Sequence, residues 1–162
     1  MKKYKWIIIL LNLAFVLIYF NHSVWKKEGL LKDGQLVLLE LAPVDPRSLM
    51  QGDYMRLRYK ISENFNFYIM AKRGYCVVAL DQNDTVYEAR FQKDLTPLNN
   101  GEYLIKYTGS RQSNMKIGAE SFFFQEGHAK KYGKAKYGGL KIDKYGNSIL
   151  VGLYDEQLRK IE

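Results

Sequence analysis

At 162 residues the chain has room for about one domain. Its 47% hydrophobic and 26% charged content rules out a disordered chain, and the single cysteine, Cys76, rules out an internal disulfide. The formal net charge is +8; apart from Lys2, Lys3 and Lys5, 22 basic residues face 17 acidic ones, a net of +5 that suits an anionic lipid surface or an acidic partner and names neither.

The first element is a membrane span. Residues 6–20 contain one polar side chain, Asn12, and extension to Trp25 gives a helix long enough to cross roughly 30 Å of hydrocarbon. Trp6 at one end, and Tyr19 and Trp25 at the other, suit the two interfaces, and the lysines ahead of the run are expected to stay in the cytoplasm. A cleaved signal peptide needs small residues after its apolar core, whereas Leu17-Ile18-Tyr19-Phe20-Asn21-His22 is bulky throughout. The expected organisation is a basic tip and uncleaved signal anchor over residues 1–25, then an extracytoplasmic β-rich domain over residues 26–162. The Asn12 amide is suited to hydrogen bonding with another helix.

Residues 23–33 read as a helical or irregular continuation that ends near Gly34, and residues 35–42 as a strand buried on both faces. In the segment from Pro43 to Asp53, Asp45 is placed to cap a short helical turn, Pro46 fits its first position and Gly52 its end. A clean alternation follows: Met55, Leu57, Tyr59 and Ile61 on a core face, Tyr54, Arg56, Arg58 and Lys60 on a cationic one. Residues 75–80 and 85–91 form a hairpin around Asp81-Gln82-Asn83-Asp84. Asn100-Gly101 turns the chain into a strand over 102–108, with Tyr103, Ile105 and Tyr107 opposite Glu102, Leu104 and Lys106. Strands over 117–125, 137–143 and 148–153 complete the set, with a brief helical turn within 126–136. About eight short strands separated by turns predict an all-β, mainly antiparallel sandwich or barrel-like domain behind one N-terminal transmembrane helix.

Gly52-Asp53-Tyr54-Met55-Arg56-Leu57-Arg58-Tyr59 matches, at every fixed position, the signature that names the GDYXXLXY family of membrane-anchored proteins. The preceding Pro43-Val44-Asp45-Pro46-Arg47-Ser48-Leu49, and the later Phe124-Gln125-Glu126-Gly127 and Gly146-Asn147-Ser148-Ile149-Leu150-Val151-Gly152-Leu153, are similar to other parts of that family, so the resemblance covers most of the chain. One departure is Gly133, where an acidic residue is expected. The resemblance implies an extracytoplasmic domain beside a bacterial cytoplasmic membrane and a multi-spanning membrane protein as a partner. It brings no catalytic residue and no cofactor.

Among chemical readings, Ser48 with Lys72 resembles the serine–lysine dyad of signal-peptidase-like hydrolases, although the Ser-Met-x-Pro setting of those enzymes is missing. The two histidines, His22 and His128, lack zinc-ligand spacing, and Asp81, Asn83 and Asp84 read as a self-bonded turn before they read as calcium ligands. Gly138-Gly139 is no phosphate loop. Lys130, Lys131, Lys134, Lys136, Lys141 and Lys144 read as a solvated lysine face with anionic headgroups in reach; nucleic acid is not expected. Cys76 reads as a buried small hydrophobe. The candidate interaction site is the charged corner formed by Asp45, Arg47, Asp53, Tyr54, Arg56 and Arg58, in an accessory domain of a membrane assembly, with a structural pairing of Asp45 or Asp53 with Arg47 that caps the turn as the reading ahead of docking there; the hydrolase is the alternative function.

Overall fold

The computed structural model describes residues 2–42, 54–66, 71–109, 115–125 and 127–162. One helix, α1 (Lys2–Asp33), carries the whole apolar run. A helix that is apolar all round needs either a protein core or lipid about it. From Tyr4 to His22 every residue of α1 is exposed, so it has no core of its own. By length and composition it is able to cross a membrane. Its last turns are different. Ser23 and Leu30, seven residues apart and so on one face, are half-buried where α1 meets the β domain.

The helix passes directly into β1 (Gln35–Glu40). The Gly34 N–H donates to the Leu30 carbonyl at 3.0 Å, and the Lys141 ammonium donates to the Gly34 carbonyl at 2.6 Å. The remaining strands are β2 (Tyr54–Arg56), β3 (Arg73–Leu80), β4 (Val86–Gln92), β5 (Glu102–Thr108), β6 (Ser121–Phe123), β7 (Tyr137–Ile142) and β8 (Ser148–Tyr154), with a one-turn helix, α2 (Ala129–Tyr132), before β7. They form three antiparallel sheets, ordered β1-β7-β8, β2-β6 and β4-β3-β5. A parallel bridge from Leu38 to Thr85 and an antiparallel one from Leu41 to Tyr59 tie the sheets together. Between them lies one core of Val37, Leu39, Met55, Leu57, Cys76, Val78, Ile105, Leu140, Ile142 and Leu153 with their neighbours. Burial of apolar area on this scale is what a domain without disulfides relies on. Burial also pushes the Cys76 thiol up to about 12, which leaves it an inert core side chain.

The all-β prediction behind one long apolar helix holds, and the turn at residues 81–84 is as expected: the Asp81 carboxylate accepts the Asn83 and Thr85 N–H groups at 2.8 and 2.9 Å. Three expectations are corrected. The alternation after Tyr54 stops at Tyr59, because Lys60–Asn64 is a 3-10 helix in which the Ser62 N–H and hydroxyl both donate to the Tyr59 carbonyl. The strand expected over 117–125 shrinks to β6, because the Glu120 carboxylate accepts the Ile117 and Gly118 N–H groups and folds that stretch into a loop. Leu104, expected on the polar face of β5, is buried. The turn at residues 143–147 covers it: a Cβ on Gly146 would lie 3.4 Å from the Leu104 Cβ, and the Lys106 N–H donates to the Gly146 carbonyl at 2.8 Å.

Candidate functional site

The signature segment divides by burial. From Tyr54 to Tyr59 the residues alternate exposed and buried without a break, as an extended chain on a core must. Leu57 and Tyr59 are each 2% exposed, and the Tyr59 hydroxyl donates to the Ala119 carbonyl at 2.6 Å. Two of the signature letters therefore serve the core. Tyr54 does not: its exposed ring lies 5.8 Å from that of Phe123, its cross-strand neighbour. Phe123 is 73% exposed, which is unusual for a phenylalanine in a folded domain. Arg56, opposite Ser121, and Arg58 share this outer face and are exposed. Among the described residues neither arginine side chain is hydrogen-bonded or ion-paired, whereas Lys60 and Lys136 both bind Glu40 at 3.0 Å. Two free guanidinium groups beside an exposed aromatic pair make a surface able to stack on, and form bidentate bonds with, an acidic partner.

Asp45, Arg47, Ser48 and Asp53 lie outside the described residues, so the structure places only the Tyr54, Arg56 and Arg58 side of the predicted corner, and the Ser48–Lys72 pair is not placed. Lys72 is exposed just ahead of β3, and its carbonyl accepts the Gly109 N–H. Phe123 is not among the residues of the predicted corner. The signal for it is the run Phe122-Phe123-Phe124: in a strand its middle ring faces away from the other two. Phe122 and Phe124 pack on Tyr132, at 4.9 and 5.4 Å between ring centres.

The lysine-rich stretch is not one face. Lys136 lies at the Glu40 end of β7, Lys141 binds the Gly34 carbonyl beside the end of α1, Lys144 sits 5.1 Å over the Tyr145 ring, and Lys130 and Lys131 are on α2. His22, in α1, neighbours Trp25, while the His128 carbonyl accepts N–H groups from α2. Among the described residues no three of His, Cys, Asp and Glu gather as metal ligands.

The end of α1 stands against a rim of the domain. One cavity of about 500 Å³ is lined by Ser23, Lys26, Lys27 and Leu30 of α1 with Gly118, Ser121 and Asn147. Another of about 520 Å³ is lined by Lys26 and Asp33 with Leu98, Glu102 and Lys144. The Arg90 guanidinium, 2.7 Å from Glu102, together with the Asn99 N–H, holds that carboxyl down to about 2. A lowered carboxylate favours the fold fully above its ordinary value of about 4.3, and the benefit is lost as pH falls from there toward 2. A carboxyl-carbon NMR titration is expected to give a Glu102 midpoint near 2, returning toward the ordinary value in Arg90→Ala; an ordinary midpoint in the parent would mean the ion pair does not form.

No curated protein and no solved structure matches this chain. The family described as GDYXXLXY protein matches residues 16–153, a span that runs from the middle of α1 to the end of β8 and takes in both the buried and the exposed side of the signature strand; the chain belongs to the GDYXXLXY family.

Proposed function

We propose that this chain is a single-pass protein of the bacterial cytoplasmic membrane, with its N-terminus inside. Its outer β domain serves as a non-enzymatic accessory module that docks an acidic, outward-facing segment of a multi-spanning membrane partner. The anchoring half of this reading is supported by a long apolar helix in which every residue from Tyr4 to His22 is exposed and by Lys2, Lys3 and Lys5 ahead of it. The docking half is carried by one observation, the exposed Tyr54–Phe123 pair flanked by the exposed side chains of Arg56 and Arg58, which have no partner among the described residues. Aromatic residues and arginine are the types enriched where partners bind most tightly.

The test uses the full chain with an affinity tag after Glu162. Protease added outside spheroplasts is expected to remove the tag. Isolation from membranes is expected to bring the partner along. In Arg56→Glu/Arg58→Glu the partner should be lost, while stability changes by no more than about 0.5 kcal/mol, as for exposed positions generally. A tag protected from protease overturns the orientation; a partner retained by the double variant overturns docking on this face.

A further inference from the structure

We propose that the cleft between the Arg73 end of β3 and Lys116 is a binding site for a phosphate-bearing anion, filled in the membrane-bound protein by a lipid headgroup or a soluble phosphate. The cleft, about 600 Å³, is lined by four basic side chains, Arg73, Lys93, Lys106 and Lys116, and, among the described residues, by no carboxylate. The fold gathers them from four places in the sequence. Arg73 pairs with Thr108 across β3 and β5, and Tyr75 pairs with Lys106, so Arg73, Tyr75, Lys106 and Thr108 lie on one face of that sheet. Lys93 follows Gln92, which pairs with Tyr75 from the other side. Lys116 is held by two reciprocal backbone hydrogen bonds with Thr108, each 2.7 Å.

Compensation from within reaches Lys106, which attracts the Asp143 carboxylate across the Asn147 side chain that Asp143 binds at 2.6 Å. Lys106 donates to a neutral oxygen, the Asn147 Oδ1, at 2.8 Å, and among the described residues the side chains of Arg73, Lys93 and Lys116 make no ion pair or hydrogen bond. Elsewhere Lys60, Arg90, Lys136 and Arg159 each hold a carboxylate. Like charges around one concave space repel, and that space concentrates anions. A phosphate group matches the donors: its oxygens accept a bidentate guanidinium and several ammonium groups at once. The volume is in the range of ordinary small-ligand sites.

The cleft also borders the rim beside α1. Gly118 lines both it and the cavity against Ser23, Lys26 and Lys27, and Asn147, bound to Lys106, lines that same cavity. If α1 spans a membrane as proposed above, residues 23–27 mark the level where it leaves the hydrocarbon, and headgroup phosphates lie beside the cleft. The headgroup source rests on that reading; the soluble source does not.

The test places the full chain in phosphatidylcholine nanodiscs and follows hydrogen–deuterium exchange of residues 73–76 and 115–118. One arm adds inorganic tripolyphosphate; the other replaces part of the lipid with phosphatidylglycerol. Slower exchange with either probe is expected, with half-protection in Lys93→Glu/Lys116→Glu needing roughly thirtyfold more of it. The matched reversal Lys130→Glu/Lys131→Glu on α2 is expected to change little. If the cleft variant melts below the parent, Lys93→Gln/Lys116→Gln takes its place. Protection by phosphatidylglycerol alone identifies a headgroup, and protection by tripolyphosphate identifies a soluble anion even if the anchoring reading fails. No protection by either probe, or equal weakening in the cleft and α2 variants, overturns the site.

Discussion

Replacing Tyr59 with alanine is expected to bring the outer domain to the edge of unfolding, at a cost of about 3–5 kcal/mol against a net stability of about 5–15 kcal/mol for a domain of ordinary size. The ring lies against the bare backbone of β7: a Cβ on Gly138 would stand 2.9 Å from the Tyr59 Cε1. Gly138 itself has no side chain to fill the space an alanine leaves. Burial raises the hydroxyl well above the usual tyrosine range, so it stays a donor to the Ala119 carbonyl at any working pH. Tyr59→Phe keeps the ring and orphans that carbonyl, for about 1–3 kcal/mol. Tyr54→Ala, in the same signature, should cost less than about 1.5 kcal/mol, the worth of one aromatic pair. Thermal unfolding of the full chain in detergent, followed by near-ultraviolet circular dichroism, ranks the three. If Tyr54→Ala destabilises as much as Tyr59→Ala, the division of the signature into a core side and an outer side fails.

That division was half legible in the sequence. Alternation alone assigned Met55, Leu57 and Tyr59 to the core and Tyr54, Arg56 and Arg58 to the surface, because a strand has only two faces. The partner of Tyr54 was not legible, since Phe123 reaches it only through strand pairing across the chain. The cationic cleft was hidden for the same reason: Arg73, Lys93, Lys106 and Lys116 sit in four separate segments, and register rather than spacing unites them. The lysine-rich stretch shows the opposite error. Its members are close in sequence, yet a strand advances about 3.3 Å per residue, so β7 separates Lys136, just ahead of its first residue, from Lys141 near its far end. Leu104 was misplaced because a covering turn, 143–147, arrives from far along the chain. The end of α1 and the turn at Asp81 were legible because their causes are local: a glycine after the last helical turn, and a carboxylate that binds N–H groups two and four residues on.

Two glycines near the end of α1 are expected to respond to alanine with opposite signs. Gly29 is an exposed helical residue with nothing within 4 Å of an added Cβ. Alanine there removes backbone freedom from the unfolded chain and is expected to stabilise by about 0.4–1 kcal/mol. At Gly34 the same methyl would lie 2.4 Å from the Leu30 carbonyl oxygen and 3.1 Å from that of Ile142. Both are backbone atoms, so no side-chain rotation relieves the clash, and about 1–3 kcal/mol or more is expected to be lost. The loss should be local in origin, because Gly34 is held on two sides, by the Leu30 carbonyl and the Lys141 ammonium. Hydrogen exchange in Gly34→Ala should therefore rise first at residues 30–36 and 140–142, with melting as the global measure. An unchanged Gly34→Ala would mean that the helix is not clamped to β1. The level of residues 23–27 against the domain rim would then be free to vary, and the route from bilayer phosphates to the cationic cleft would lose its geometric basis.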